Sequence, residues 1–139
     1  MEVLEEVNQI IEKLQEGKWS DHSPQLLESA QGKLSALQTN VSKLVCDARK
    51  EMNTRDIHVK NKEATQFLEY RKHKMSVEEC KMNARVDVLN DLMKGLDAKA
   101  KYNDLKGVLD AMQTLTIAVQ VTIREQGREL SASKYQNNA

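Results

Sequence analysis

The densest group of side chains that could do chemistry is basic and lies between residues 70 and 85. Its members are Tyr70, Arg71, Lys72, Lys74, Lys81 and Arg85. Lysine and arginine at such spacing neutralise phosphates, and a tyrosine ring can stack on a base, so these six residues are candidates for contact with nucleic acid. Cations are also stabilising where a helix ends. We favour this second interpretation, because the formal net charge of the chain is zero and supplies no long-range field.

No other set of residues has the spacing of a catalytic or metal site. The histidines His22, His58 and His73 are scattered, and Glu69, His73 and Cys80 would share a face only on one unbroken helix. Three mixed ligands make a weak zinc set, and neither a matched acid and base nor a glycine-rich phosphate loop is present. We therefore expect no catalytic residue, no metal and no cofactor, and we predict that the protein is not an enzyme.

Charge is distributed unevenly along the 139 residues. Residues 1–48 carry four Lys/Arg and eight Asp/Glu, a net of −4; residues 49–85 carry ten and six, a net of +4; residues 86–139 carry seven of each. The acidic first third suggests one more hypothesis, a mimic of nucleic acid that inhibits a host enzyme or defence system. A net of −4 supports it only weakly.

The sequence also predicts where the protein resides. Glu2, Glu5 and Glu6 stand where a signal peptide would carry basic residues, and the uncharged run 111–123 is too short and polar to cross a bilayer. Cys46 and Cys80 fall in helical patterns beside apolar positions, as reduced, buried thiols of a cytosolic protein would.

The elements that must position these residues are helices. Pro24 is the single proline, and 115 residues follow it without another, as expected of long helices. Apolar residues three and four apart predict a first helix over 2–16, closed by Gly17 and followed by a loop over 18–23. They are Val3, Leu4, Val7, Ile10, Ile11 and Leu14. Ser23 as N-cap with Pro24 in the first turn begins a long helix over 24–52.

This long helix carries a heptad seam. Its members alternate in steps of three and four: Leu27, Ala30, Leu34, Leu37, Val41, Leu44 and Ala48, with Met52 beyond them. The next seam positions hold Arg55 and Lys62, and a new apolar phase begins at Ile57 and includes Ala64, Phe67, Leu68 and Met75. Residues 53–75 are irregular or helical on this pattern, and we favour a break over 53–61.

A capping box, Ser76 with Glu79, opens the next helix over 77–100. Cys80, Ala84, Val88, Leu92 and Leu96 are predicted to share one of its faces. Gly95 and Asn103-Asp104 are weak helix-breaking signals near the start of a predicted final helix over 102–130. Residues 131–139 are predicted to form a frayed tail. The final helix carries Tyr102, Leu105, Leu109, Met112, Thr116, Val119 and Ile123.

One stretch of the final helix also has a strand pattern. Apolar and polar residues alternate from Leu115 to Ile123. Because no partner strand is available to satisfy its backbone, we predict helix. On that helix Ile117 and Val121 lie opposite Met112 and Val119, which implies two packing partners, one of which could be another subunit.

From Ser76 onward the chain resembles a loose group of short all-helical proteins of bacteriophages and prophages. The residues that carry the resemblance are Ser76 to Cys80, Ala84-Arg85, Lys101-Tyr102, Leu105-Lys106, Met112 and Arg124-Glu125. They cover about half of the chain. The resemblance implies a small accessory protein made inside the bacterial host, and it supplies no catalytic residue.

The sequence thus predicts one all-α domain, an elongated helical hairpin or bundle with coiled-coil-like seams. We expect a homo-oligomer, with a dimer favoured, in the bacterial cytoplasm and without a membrane. Candidate contacts with a second copy, or with a host or phage protein, are Leu34, Leu37, Val41, Leu44, Ile117 and Val121. The leading function is non-enzymatic protein–protein interaction. The alternative is a nucleic-acid-binding accessory protein in phage recombination or replication.

Overall fold

A computed structural model describes residues 2–15 and 23–137 of the chain, and all its elements are helices. They are α1 (Glu2–Gln15), α2 (Pro24–Lys72), α3 (Val77–Asp87) and α4 (Leu89–Asn137). Neither of the two described ranges contains a strand. The all-α prediction is confirmed, and the alternating stretch from Leu115 to Ile123 is helix. The predicted end of the first helix at Gly17 and nearly all of the loop after it lie outside the described residues.

The chain divides into two compact units where the sequence predicts one domain. The first unit comprises Met1–Lys43 and Gly107–Ala139, and the second comprises Leu44–Lys106. α2 and α4 each contribute to both units. In the second unit the two helices are antiparallel, because Arg49 meets Tyr102 while Lys62, further along α2, meets Asp91.

The core of the first unit is built from the predicted apolar positions of three helices. Its fully buried side chains are Val7 of α1, Leu27, Leu34 and Val41 of α2, and Met112 and Val119 of α4. Thr116 is the buried polar residue among them, and its hydroxyl donates to the carbonyl of Met112 at 2.8 Å. A satisfied hydroxyl adds little cost to an apolar core.

α2 begins as the sequence predicts. The Ser23 hydroxyl accepts the backbone N–H of Leu26 at 3.2 Å, and the Ser23 carbonyl accepts that of Leu27 at 3.1 Å. Pro24 occupies the first helical position, where its missing N–H breaks no hydrogen bond.

The favoured break over 53–61 is wrong, because α2 runs unbroken from Pro24 to Lys72. The heptad seam stays on the covered side of α2 beyond Ala48, even where its positions are charged. Val59 is buried, and Met52, Arg55 and Lys62 are half-buried. The segment holds neither proline nor glycine. Two ion pairs one turn apart, Glu51 with Arg55 and Asp56 with Lys60, support the helix there.

The connection between α2 and α3 is short. Lys74, the only non-glycine residue with positive φ among the described residues, adopts φ 60° and turns the chain after α2. Ser76 then caps α3, and its hydroxyl accepts the N–H of Glu79 at 3.2 Å. The predicted cap at Ser76 is confirmed.

The boundary predicted near residue 101 is wrong. The helix that begins at Val77 ends at Asp87, and α4 runs from Leu89 to Asn137 through Gly95 and Asn103-Asp104. A glycine costs a helix interior only about 1 kcal/mol relative to alanine, which packing along a long helix offsets. The interruption is at Val88, with φ −102° and ψ 6°, and no proline or glycine marks it. α4 also continues beyond residue 130, where the sequence predicts a frayed tail.

Candidate functional site

Half of the predicted partner contacts are covered by the chain itself. Leu34, Leu37 and Val41 are buried in the first unit, so they build the intramolecular core and are not available to a partner. Leu44 is exposed, because the seam advances from Val41 to the buried Val45 instead. Ile117 and Val121 are 61% and 44% exposed, on the side of α4 away from the buried Met112 and Val119, as predicted.

Most of the basic residues between 70 and 85 have partners within the second unit. Lys72 pairs with Glu69 at 3.2 Å, Arg85 pairs with Glu63 at 3.2 Å, and the Arg71 guanidinium donates to the carbonyl of Met75 at 2.8 Å. Lys74 and Lys81 are exposed and have no ion pair within the described part of the chain. A cation that is already paired with a carboxylate attracts phosphate less strongly. Only Lys74 and Lys81 are therefore uncompensated cations among the candidate residues of this surface.

Tyr70 is likewise occupied. Its hydroxyl donates to a carboxylate oxygen of Asp87 at 2.6 Å. This hydrogen bond to Asp87 is the main reason that the pKa of Tyr70 is raised above its usual value of 10.0. The side chain thus joins α2 to α3 and is not free to stack on a base without breaking that bond.

A charged layer joins α2 to α4 in the second unit. The ammonium of Lys62 donates to Asp91 at 2.8 Å, and His58 Nε2 lies 3.9 Å from the same carboxylate. The pKa of Asp91 is lowered below its usual value of 3.8, and the main cause is the hydrogen bond from Lys62. Lys62 stands at a position that the heptad seam would give to an apolar residue, and such a polar position can fix the register of paired helices.

A second polar contact lies nearer the start of the unit. Arg49 donates to the Tyr102 hydroxyl at 3.0 Å, and its guanidinium carbon lies 5.5 Å from the centre of the ring. The hydrogen bond with Tyr102 is the main cause that raises the pKa of Arg49. Lys101 approaches Glu51 at 3.9 Å beside this contact. These groups align the helices, and none of them has the arrangement of a nucleophile with its base.

The two cysteines differ. Cys80 is buried, as the sequence predicts, whereas the prediction for Cys46 is wrong because this residue is exposed on α2. Position 46 follows the buried Val45 by one residue, and one residue rotates the side chain by about 100° around the helix.

An exposed row of apolar side chains runs along α3 and the start of α4. Its members are Met82, Val86, Leu89, Met93 and Leu96, at steps of four and three, and each is at least half exposed. We call this row the apolar stripe. The stripe was not predicted from the sequence, and Leu96 was predicted on the buried face with Cys80, Ala84 and Val88. That placement is wrong, because Leu96 is 65% exposed while the other three are buried.

Helical geometry explains why Leu96 is not on the buried face. A step of four residues turns about 40° beyond a full turn, so four such steps from residue 80 to residue 96 carry the side chain to the opposite side. The steps of four and three through Met82, Val86 and Leu89 stay on one face, and this pattern in the sequence could have revealed the stripe.

A shallow groove lies beside α3 in the second unit. Its apolar lining is Ala64, Phe67 and Leu68 of α2 and Ala84 of α3, and its charged lining residues are Lys60, Glu63 and Lys81. Leu68 is 62% exposed at its edge, although the sequence predicts a seam position there. The groove is mainly apolar, and its one lining carboxylate, Glu63, is paired with Arg85.

The described residues hold no group of three or more His, Cys, Asp or Glu side chains placed to bind a metal ion. None of the helices, as far as they are described, combines the length and apolar character needed to cross a membrane. In comparisons with known proteins, no family model, no curated protein and no solved structure matches this chain.

Proposed function

We propose that this chain is a non-enzymatic accessory protein of the phage type that acts through helix-to-helix contact with another protein or another copy, inside the bacterial host cell. The observation that carries the proposal is the apolar stripe. Five large apolar side chains face solvent at heptad spacing in the second unit. Large apolar side chains grouped in water are typical of a surface that another protein covers.

A helix is the partner that fits such a row. Apolar side chains at steps of three and four form a narrow line, and an amphipathic helix covers a line of that width with its own anchors. Ile117 and Val121 offer a smaller apolar surface of the same kind on α4 in the first unit.

Nucleic-acid binding remains the weaker alternative. The ion pairs of Lys72 and Arg85, and the hydrogen bonds of Tyr70 and Arg71, compensate four of the six candidate residues. Inhibition of a host enzyme by the acidic N-terminal third has no further support, because a net of −4 is small.

The Ile117→Ala/Val121→Ala variant tests the proposal at its smaller surface. Loss of apolar area should reduce the amount of partner protein recovered from the bacterial host, or of second copy found by sedimentation velocity, without changing helicity. Leu130→Ala is the matched control, since Leu130 is 60% exposed on the same helix. The proposal would be contradicted if the wild-type chain sediments as a monomer and no host protein is captured with it. A complex with DNA that weakens as salt is raised would also contradict it.

A further inference from the structure

We propose that α3 opens from α2 as a local unit while the pairing of α2 with α4 stays intact. The opening unit is bounded by the turn that follows Lys72 and by the interruption at Val88. This opening goes beyond the proposed function and does not depend on it. Its effect on the apolar stripe rests on the proposed function.

Little apolar burial holds α3 in place. The helix has eleven residues, and its two buried side chains are the small ones of Cys80 and Ala84. A helix shorter than about 12–15 residues is marginal in water, so α3 depends on packing for its stability. Segments with few buried apolar contacts open at a lower free energy than the rest of a protein. α3 is therefore expected to open before the second unit unfolds.

Two polar contacts fasten α3 to α2, and both are accessible to water. The Tyr70 hydroxyl donates to Asp87 at 2.6 Å, and Arg85 pairs with Glu63 at 3.2 Å. Asp87 and Arg85 are exposed. Contacts of exposed charged groups add little stability, because water competes for both partners. They hold α3 against α2 without making its release costly.

The interruption at Val88 separates the hydrogen bonds of α3 from those of α4. The N–H of Val88 donates to the carbonyl of Val86, two residues back, where a helix bonds four residues back. Beyond it, the N–H of Leu92 donates to the Val88 carbonyl at 2.8 Å, and Lys62 donates to Asp91 at 2.8 Å. The contacts that hold this end of α4 begin at Val88, so α3 can open without breaking them.

Opening brings the Cys80 thiol into water and divides the apolar stripe. Met82 and Val86 lie on α3, whereas the other three members of the stripe lie on α4. A partner that spans Val88 binds only the closed state, and it therefore stabilises that state by mass action. The closed α3 is the state in which the stripe is complete.

Labelling of the two cysteines tests the opening in the wild-type chain. Iodoacetamide is added to the reduced protein, and mass spectrometry of the digest reports each thiol separately. Cys46 is exposed and serves as the reference, whereas Cys80 is buried and reacts only when α3 opens. We expect Cys80 to react more slowly than Cys46, at a rate that low denaturant barely changes, because opening one short helix exposes little surface. A rate that rises as steeply with denaturant as the unfolding equilibrium would overturn the proposal.

Two matched tyrosine substitutions locate the opening. Tyr70→Phe removes the hydroxyl that fastens α3, so it should raise the Cys80 rate roughly fivefold. Tyr102→Phe removes the hydroxyl that accepts from Arg49, a contact of α2 with α4, and should leave the rate unchanged. Equal acceleration by both would show that the second unit unfolds as a whole. An unchanged rate in a Tyr70→Phe chain that thermal unfolding shows to be folded would show that this contact does not hold α3. Either result overturns the proposal.

Leu34→Ala separates local from global opening. Leu34 is fully buried in the first unit, so this variant should unfold more readily yet label Cys80 at the wild-type rate. A Cys80 rate that rises as the whole chain is destabilised would contradict local opening. If the wild-type chain still captures a host protein in that case, the proposed function stands, because binding at the stripe does not require α3 to open.

Discussion

At the scale of single residues, the contact of Lys62 with Asp91 is the most informative. Lys62 interrupts the apolar seam of α2 in the sequence, yet in the structure its ammonium is satisfied by the Asp91 carboxylate of α4. A charge at a seam position is tolerated when its partner lies on the facing helix. Because pairing 62 with 91 excludes neighbouring alignments, this contact helps to set the antiparallel register within the second unit.

The pKa of Asp91 gives this contact a measurable signature. Since Lys62 lowers that pKa below 3.8, the stability that the pair contributes is complete above pH 3.8 and is lost as the pH falls through the folded-state value. We expect Asp91→Asn to be less stable than wild type near neutral pH, with a gap that closes in acid. Denaturant unfolding at several pH values measures this gap.

Asp97→Asn is the matched control for Asp91→Asn. Asp97 is exposed on the same helix and has no ion pair among the described residues, so its substitution should leave the stability profile nearly unchanged. A gap between wild type and Asp91→Asn that stays constant from neutral pH to acid would show that Lys62 does not stabilise the charged carboxylate.

At the scale of elements, apolar spacing predicts some faces of these helices and misplaces others. Steps of three and four through Leu27, Leu34 and Val41 keep one face for several turns, and all three are buried. Uninterrupted steps of four through Cys80, Ala84 and Leu92 drift around the helix, so the face read from them is wrong by Leu96. Val88, where α3 gives way to α4, carries no residue that marks a break. The register of α2 with α4 depends on contacts between distant residues, which a single sequence does not reveal.

Two leucines in the same protein distinguish an internal face from an exposed one. Leu34→Ala should lower the free energy of unfolding by about 2–5 kcal/mol, because the fully buried side chain leaves a cavity. Leu96→Ala should change the stability of the monomer by no more than about 0.5 kcal/mol, since most of its side chain is already in water. Chemical denaturation at low protein concentration measures both. Equal losses in the two variants would mean that the assigned buried and exposed faces are wrong.

At the scale of the whole molecule, the distribution of apolar surface is the basis of the proposed function. Each unit buries one face of its helices within the chain, and the second unit leaves another apolar face, the stripe, in contact with solvent. The proposed role in binding a second helix gives the exposed face a function.

Oxidation of methionine tests this central claim most directly. Met82 and Met93 are 70% and 63% exposed in the single chain, whereas Met112 is fully buried. If a second helix covers the stripe, mild peroxide should oxidise Met82 and Met93 rapidly in dilute protein and slowly at concentrations where the chain associates, while Met112 stays protected throughout. Mass spectrometry of the digested protein reports each site separately. If Met82 and Met93 are oxidised equally fast at every concentration and in host extract, nothing covers the stripe and the account is contradicted.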